Sequence, residues 1–166
     1  NPYPRRSGVV PGVSDLELAQ QHGRSLANAV EVAITANPRA IRGPIRSAYE
    51  EISLAYQKPD RAPHDYPVQV IHLGDDLILV ALGSEVVVDY SLRLKRELAG
   101  NAAVWVAGYS NDYTGYMPSL RVQKEGGYEA ETSLWYYNRP AQLAPDSEDI
   151  LIKAAQQALT GTGNSP

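Results

Sequence analysis

The residues of this sequence that could do chemistry crowd into one short segment, Val106–Ser119, which reads VAGYSNDYTGYMPS. It holds three tyrosines, an asparagine and an aspartate, although aromatic residues make up only 8% of the chain. Phenols and carboxylates can exchange protons, bind cations and orient polar substrates. Tyrosines beside glycines also commonly cover the edge of a core with their rings while their hydroxyls stay in water. The residue types alone leave a functional site and simple packing equally open.

A second carboxylate of interest, Glu85, follows the apolar segment LILVAL and stands at the start of a predicted helix. Sites tend to form at such junctions because they lie at the edge of a sheet. The alternative is an ordinary acid in the first turn of a helix, stabilised by the helix dipole. Asp75 and Asp76, between two apolar segments, are interpreted simply as a turn.

The three histidines are widely spaced, with His22 in a predicted helix, His64 in a proline-rich loop and His72 inside an apolar strand. Histidines that share a metal usually show tighter spacing, so structural roles are favoured for all three. A metal site that adds one of them, best His72, to Glu85 and Tyr116 is retained as an alternative. The sequence contains no GxxxxGK segment, no HExxH motif and no convincing Ser-His-Asp order.

Helical and strand-like patterns alternate along the chain. Ser14 followed by Glu17 is a capping box, and the apolar spacing behind it predicts a helix that stops at Asn37-Pro38. The segments VQVIHL and LILVAL, separated by Gly74-Asp75-Asp76, predict a hairpin of buried strands. The other predicted elements are an alternating stretch over 45–56, a loop over 58–67, a helix from Ser84 or Glu85 to Gly100 with Ser84 as N-cap, a core strand in AAVWVAG and a helix over 147–159.

The length and the composition are typical of a chain that folds around one sizeable core. The chain has 166 residues, of which 43% are apolar, and the order of its elements predicts an α/β fold with mixed β-sheet layers flanked by helices. The formal net charge of −4 and the lack of lysine or arginine runs argue against binding to nucleic acid. There is no cysteine and no apolar stretch long enough for a membrane helix, so the chain is predicted to be soluble. Residues 161–166 are predicted to be a disordered tail.

Three segments follow one another along the chain: VQVIHLGDDLILVALGSEVVVDYSLRLKREL, VWVAGYSNDYTGYMPS and KEGGYEAE. Together they resemble the second half of the catalytic domain of the neutral/alkaline, non-lysosomal ceramidases, particularly the bacterial ceramidase-like proteins. The opening NPYPRR resembles the end of a Gly-Asp-x-x-Pro segment of that family. The resemblance covers nearly the whole chain, and it implies that residues 1–160 are the C-terminal part of a larger catalytic domain.

The resemblance implies a zinc-dependent amidase that hydrolyses the N-acyl bond of ceramide or a related lipid amide. Glu85 and Tyr116 match two of the family's zinc ligands, and Tyr128 matches the tyrosine that hydrogen-bonds the reacting amide. The other two ligands are histidines in the first half of the family's domain, which this chain is expected to lack. With two of four ligands, the chain by itself is expected to bind zinc weakly and to catalyse poorly.

The resemblance also implies partners and a location. The partners are a lipid amide such as ceramide, a membrane surface contacted peripherally and the N-terminal half of the domain, and the family's usual location is secreted or periplasmic. If the domain keeps its fold but lacks the histidine ligands, a non-catalytic binding or scaffold role is the alternative.

Other residues of the tyrosine segment receive supporting roles. Gly108 and Gly115 are expected to allow close backbone approach and unusual dihedral angles. Asn111 is expected to fix the loop and Tyr113 to pack. The sequence departs from the family at Asp112, where a small residue is common, and at Gly83-Ser84, which replaces Pro-Gly or Pro-Ala before the glutamate.

Overall fold

The computed structural model of this protein describes residues 12–36, 38–98 and 100–161, in a chain that divides into two units, 1–40 and 41–166. The first unit contains one helix, α1 (Asp15–Thr35), none of whose residues is buried. Ser14 accepts a hydrogen bond from the Glu17 amide and its own amide donates to the Glu17 carboxylate, which confirms the capping box. The NPYPRR segment lies outside the described residues.

The second unit is built on a mixed four-stranded sheet in the order β1-β2-β3-β5, flanked by helices, which confirms the α/β fold class. The first three strands are antiparallel neighbours, and β5 pairs in parallel with β3. Gly74, with a φ of +60°, forms the turn of the expected hairpin between β2 and β3. The strands are β1 (Ile45–Leu54), β2 (His64–Leu73), β3 (Leu77–Leu82) and β5 (Ala103–Ala107).

Two helices of the second unit cover one face of this sheet. Helix α2 (Val88–Glu97) connects β3 to β5, and α5 (Ser147–Gly161) packs on β1 and β2. Alternate residues of the strands point into this layer, as a half-buried sheet requires. The opposite face exposes Tyr49 and Trp105. The largest fully buried side chains are Leu54, Tyr66, Val68, Val70, Val80, Leu82, Tyr90, Leu94, Met117, Leu143, Leu151 and Ile152.

The predicted start of the second helix is wrong, because residues 85–86 form a short strand, β4 (Glu85–Val86), and α2 begins at Val88. Three consecutive β-branched valines follow Glu85 and favour extended backbone over a helix. Ser84 is not the N-cap. It is fully buried with a φ of +59°, and Val87 stands at the N-cap position without a side-chain hydrogen bond.

Two other predicted boundaries are also corrected. The proline-rich loop ends before His64, so Pro67 lies inside β2. It pairs with Glu51 of β1, one residue before β2 begins to pair with β3. Strand β5 is an edge strand rather than a core strand, and its Trp105 is 61% exposed. The last helix extends to Gly161, and the remainder of the predicted tail, 162–166, lies outside the described residues.

The chain between β5 and α5 consists of short elements. Strand β6 (Tyr116–Met117) pairs in parallel with β4. It is followed by α3 (Leu120–Glu125), a π-helical turn (Tyr128–Thr132) and α4 (Ser133–Tyr136). These pieces carry the residues of the candidate site.

Candidate active site

The pairing of β4 with β6 brings together the two predicted metal ligands. Glu85 and Tyr116 are register partners, and the Glu85 amide donates a hydrogen bond of 2.8 Å to the carbonyl of Gly115. The Glu85 carboxylate acts on the phenols of both Tyr116 and Tyr109 and raises the pKa of each. One carboxylate therefore gathers phenols from the beginning and the end of the tyrosine loop.

Tyr128, the predicted catalytic residue, reaches the same place from the π-helical turn. Its ring lies edge-on to the ring of Tyr116, with centroids 5.5 Å apart. It is 47% exposed, so a bound molecule can reach it. The three residues selected from the resemblance thus form one cluster in the structure.

The remaining tyrosines of the loop extend this cluster. Tyr113 stacks on Tyr109 with ring centroids 5.5 Å apart, and its hydroxyl lies 2.8 Å from that of Tyr137. As expected for the loop's supporting residues, Asn111 donates to the Gln69 side chain. These contacts account for the crowding of phenols seen in the sequence.

Close backbone approach explains the two glycines of the loop. A Cβ at Gly115, where φ is +98°, would lie 2.5 Å from the ring of Tyr137. A Cβ at Gly108 would lie 3.2 Å from the Val86 side chain. Close approach is confirmed at both positions, whereas the unusual dihedral angle is found at Gly115 and not at Gly108.

The electrostatics at Glu85 favour protonated phenols. The interaction with the Glu85 carboxylate, followed by burial, raises the pKa of Tyr109 to about 12. Burial, followed by the Glu85 charge, raises the pKa of Tyr116. A negative neighbour disfavours phenolate, so both side chains are neutral at pH 7 unless a cation is added.

A cavity of about 460 Å³ opens beside the Glu85–Tyr116 pair. Four valines, three glutamates and an arginine contribute to its lining. The guanidinium of Arg121 in this cavity is engaged by Asp89 and Glu125. The cavity can accept an apolar chain next to the cluster. It is lined by Glu85, Val86, Val87, Val88, Tyr116, Arg121, Val122, Glu125, Gly126 and Glu129.

The donor set fits half of a zinc site. Carboxylate oxygen is an ordinary zinc ligand, and a dication stabilises phenolate as it stabilises hydroxide. Glu85 and Tyr116 are register partners on paired strands, and the Glu85 charge acts on the Tyr116 phenol, so the two side chains lie close together. Among the described residues, no group of three or more histidines and acids is placed to hold a metal. A complete site therefore needs ligands beyond these two.

The histidines do not complete this site. His72 pairs with Ile78 near the β2–β3 turn, at the opposite end of β3 from Glu85. His22 lies on α1, in the other unit. His64 is the first residue of β2 rather than a loop residue, and its Nε2 faces Thr114 and Asp112 at 3.2 and 3.6 Å.

Asp112 and His64 belong to a polar cluster that the sequence did not reveal. The hydroxyl of Thr114 is at its centre, 3.0 Å from the Ser84 hydroxyl and 2.6 Å from Nη2 of Arg139. These residues come from four separate parts of the chain, and no motif links them. Asp112 and Thr114 approach the same nitrogen of His64, so the arrangement cannot work as an acid–base relay, which uses both ring nitrogens.

No family model matches the sequence, and no curated protein matches it at a significant level. No helix in the described part of the chain has the length and apolar character needed to cross a membrane. The assignment of roles to Glu85, Tyr116 and Tyr128 thus depends on the motif resemblance and on their geometry.

Proposed function

We propose that this chain is the C-terminal part of a zinc-dependent amide hydrolase of the ceramidase type, acting on the N-acyl bond of ceramide or a related lipid amide. One observation carries the proposal. Glu85, Tyr116 and Tyr128, which lie in separate segments, converge through one strand pairing and one ring contact. Such convergence is what a shared site requires and what unrelated surface residues rarely show.

Glu85 and Tyr116 would hold zinc together with two histidines from the part of the domain that precedes this chain. When bound there, zinc supplies a Lewis acid that polarises the amide carbonyl and activates water. Tyr116, whose pKa is raised by burial and by the Glu85 charge, must release its phenol proton before its oxygen can act as a ligand. Metal binding is therefore coupled to proton release by the chain itself.

Tyr128 acts on the substrate in this proposal. Its hydroxyl donates a hydrogen bond to the carbonyl oxygen of the amide, where negative charge develops during hydrolysis. The packing of its ring against Tyr116 orients it towards the pair. The valines that line the adjacent cavity hold one apolar chain of the substrate.

The test measures zinc content and release of free amine from an N-acyl lipid by the full-length protein. We expect Glu85→Ala and Tyr116→Phe to lose zinc and activity together. Tyr128→Phe keeps zinc and lowers turnover by about 10²-fold, the usual effect of removing one donor to a developing oxyanion.

Two matched controls separate ligation from hydrogen bonding. Tyr109 also interacts with Glu85, which raises its pKa, but it is assigned no metal bond, so Tyr109→Phe keeps its zinc. Tyr136 lies near Tyr128, at a ring-centroid distance of 6.4 Å, and Tyr136→Phe keeps full turnover. Full amidase activity in all three site variants would refute the proposal.

A non-catalytic binding or scaffold role is the second candidate, favoured because no group of three or more histidines and acids in the described part of the chain is placed to hold a metal. A stoichiometric complex with a lipid or a protein, formed equally well with and without zinc, would support it.

Equilibrium dialysis of zinc against the His72→Ala variant tests the alternative metal site, because unchanged zinc binding excludes His72 as a ligand.

A further inference from the structure

Arg139 makes three hydrogen bonds to the segment that carries Tyr116. Its Nε donates to the carbonyl of Thr114 at 2.7 Å, and its Nη1 donates to the carbonyl of Tyr116 at 3.0 Å. Its Nη2 donates to the Thr114 hydroxyl at 2.6 Å. The planar guanidinium thus clamps the backbone on both sides of Gly115.

This arginine is half-buried and makes no ion pair with a carboxylate of the described residues. Burial lowers the pKa of Arg139, with smaller opposing effects from Tyr56, Tyr66 and Asp112. Desolvating a charge is costly, so its hydrogen bonds to the two carbonyls and the hydroxyl must compensate. Such a group acts on the backbone that it contacts.

The segment that Arg139 contacts also accepts backbone hydrogen bonds from Ser84 and Glu85. The Glu85 amide donates to the Gly115 carbonyl, and the Ser84 amide donates to the Asp112 carbonyl, both at 2.8 Å. The Thr114 amide donates in turn to the Ser84 hydroxyl at 3.3 Å. Ser84 has a left-handed φ of +59°, which costs free energy and persists only if neighbouring contacts hold it.

We propose that Arg139 is a positioning residue that fixes the register of β4 against β6 and so holds the Glu85 carboxylate at the Tyr116 phenol. Its importance for catalysis rests on the proposed function, but the positioning role does not. Lysine cannot replace it fully, because an ammonium group cannot span two carbonyls and a hydroxyl as the guanidinium fork does.

The test is amide hydrogen exchange in the full 166-residue chain. The amides of Glu85 and Val87 donate across the β4–β6 pair, to Gly115 and Met117, whereas the Ala103 amide donates to Asp76, beside the β2–β3 turn. In Arg139→Ala we expect about tenfold or greater acceleration at Glu85 and Val87, with no change at Ala103. Arg139→Lys falls between this variant and the wild type.

The control is Arg93→Ala. It removes an arginine that is bound to Glu97, Glu148 and Asp149 and not to a residue of β6. It leaves the exchange at Glu85 and Val87 unchanged relative to Ala103. Equal acceleration at all three amides in Arg139→Ala would mean general destabilisation and would overturn the inference, as would no acceleration at Glu85. If Arg139→Ala does not fold, wild-type exchange in Arg139→Lys overturns it.

The zinc measurement separates the two proposals. If Arg139→Ala releases the Glu85 amide while Glu85→Ala leaves zinc content unchanged in the full-length protein, positioning stands and the proposed function fails. If Glu85→Ala loses zinc but Arg139→Ala does not accelerate exchange, the function stands and the positioning role fails.

Discussion

At the scale of single residues, the Glu85 carboxylate organises the tyrosines around it. Its charge contributes to raising the pKa of both the Tyr109 and the Tyr116 phenol. A cation at the same place would reverse this effect, since positive charge favours phenolate. The same geometry therefore suits a neutral hydrogen-bonded cluster or half of a metal site.

Gly115 is predicted to be essential for this cluster. An alanine there would combine an unfavourable φ of +98° with a contact of 2.5 Å to the Tyr137 ring. Gly127 has a similar φ of +92° but open space around it, so it provides the matched control. We expect Gly127→Ala to lower the free energy of unfolding by about 1–2 kcal/mol, and Gly115→Ala by a further 1–3 kcal/mol or so. Urea denaturation measures both, and equal losses would contradict the steric argument.

His64 is expected to make stability depend on pH. Burial, followed by the Arg139 charge, lowers its pKa, against the opposing effect of Asp112. As pH falls below the unfolded value of about 6.5, the unfolded chain binds the proton first, and the folded state loses stability. The contribution is fully present above about pH 6.5 and is lost below it.

The measurement is the free energy of unfolding in urea at about pH 7.5 and about pH 5.5. His64→Gln keeps a polar partner for Thr114 but cannot be protonated, so it should lose less stability on acidification than the wild type. His72, whose pKa is lowered by burial and Arg46, accounts for part of the remaining loss. An identical loss in wild type and His64→Gln would contradict the assignment.

At the scale of elements, one arginine of α2 links the helices of the layer that covers the sheet. Arg93 of α2 contacts Glu97 and also Glu148 and Asp149 at the start of α5. Glu148 accepts in addition from the Leu120 amide, which opens α3. The helices around the site are thus joined by charge-assisted hydrogen bonds.

We expect Arg93→Met to lower the free energy of unfolding by about 1–2 kcal/mol, since it leaves partly buried carboxylates without their partner. Arg96, one turn away in α2, is 71% exposed and makes one long contact of 3.7 Å to Glu97. Arg96→Met should change stability by less than about 0.5 kcal/mol. Urea denaturation of both variants makes the comparison, and equal effects would show that the network contributes nothing.

At the scale of the whole molecule, all core residues within the described part of the chain lie in the second unit. Its buried residues run from Leu54 to Ala158, whereas α1 has no buried residue. A helix that buries nothing gains little from tertiary packing, and most helices depend on such packing for stability.

We therefore expect the segment 41–166 to unfold cooperatively without residues 1–40. Its Tm should lie within a few degrees of the Tm of the full chain. Circular dichroism during heating measures the transition and the helical signal lost with α1. A large drop in Tm or loss of cooperativity would show that the first unit contributes to the stability of the second.

Sequence patterns predicted the elements that depend on local chemistry. Ser14 and Glu17 cap α1 as expected, and Gly74 makes the hairpin turn. The start of α2 was missed because the acid and serine before it imitate a helix cap, whereas Glu85 and Val86 form a strand and α2 begins only at Val88. The pairing that forms β4 comes from a segment distant in the chain, so no local pattern could show it.

The candidate site divides in the same way. Glu85, Tyr116 and Tyr128 could be selected from motif order. Arg139 and His64 could not, because their shared partner, Thr114, is distant from both in sequence and no spacing rule links them. His72 looked the better histidine because its strand neighbours β3, and the antiparallel register then placed it at the far end.

The sequence by itself determined the longer helices, the strands of the hairpin and the types of side chain available for chemistry, because capping, turn residues and apolar periodicity act over a few neighbouring residues. Tertiary structure alone decided that Glu85 meets Tyr116 and that Arg139 clamps the segment between them. Those contacts depend on the register of two-residue strands and on a half-buried guanidinium, and both are set by packing between distant parts of the chain.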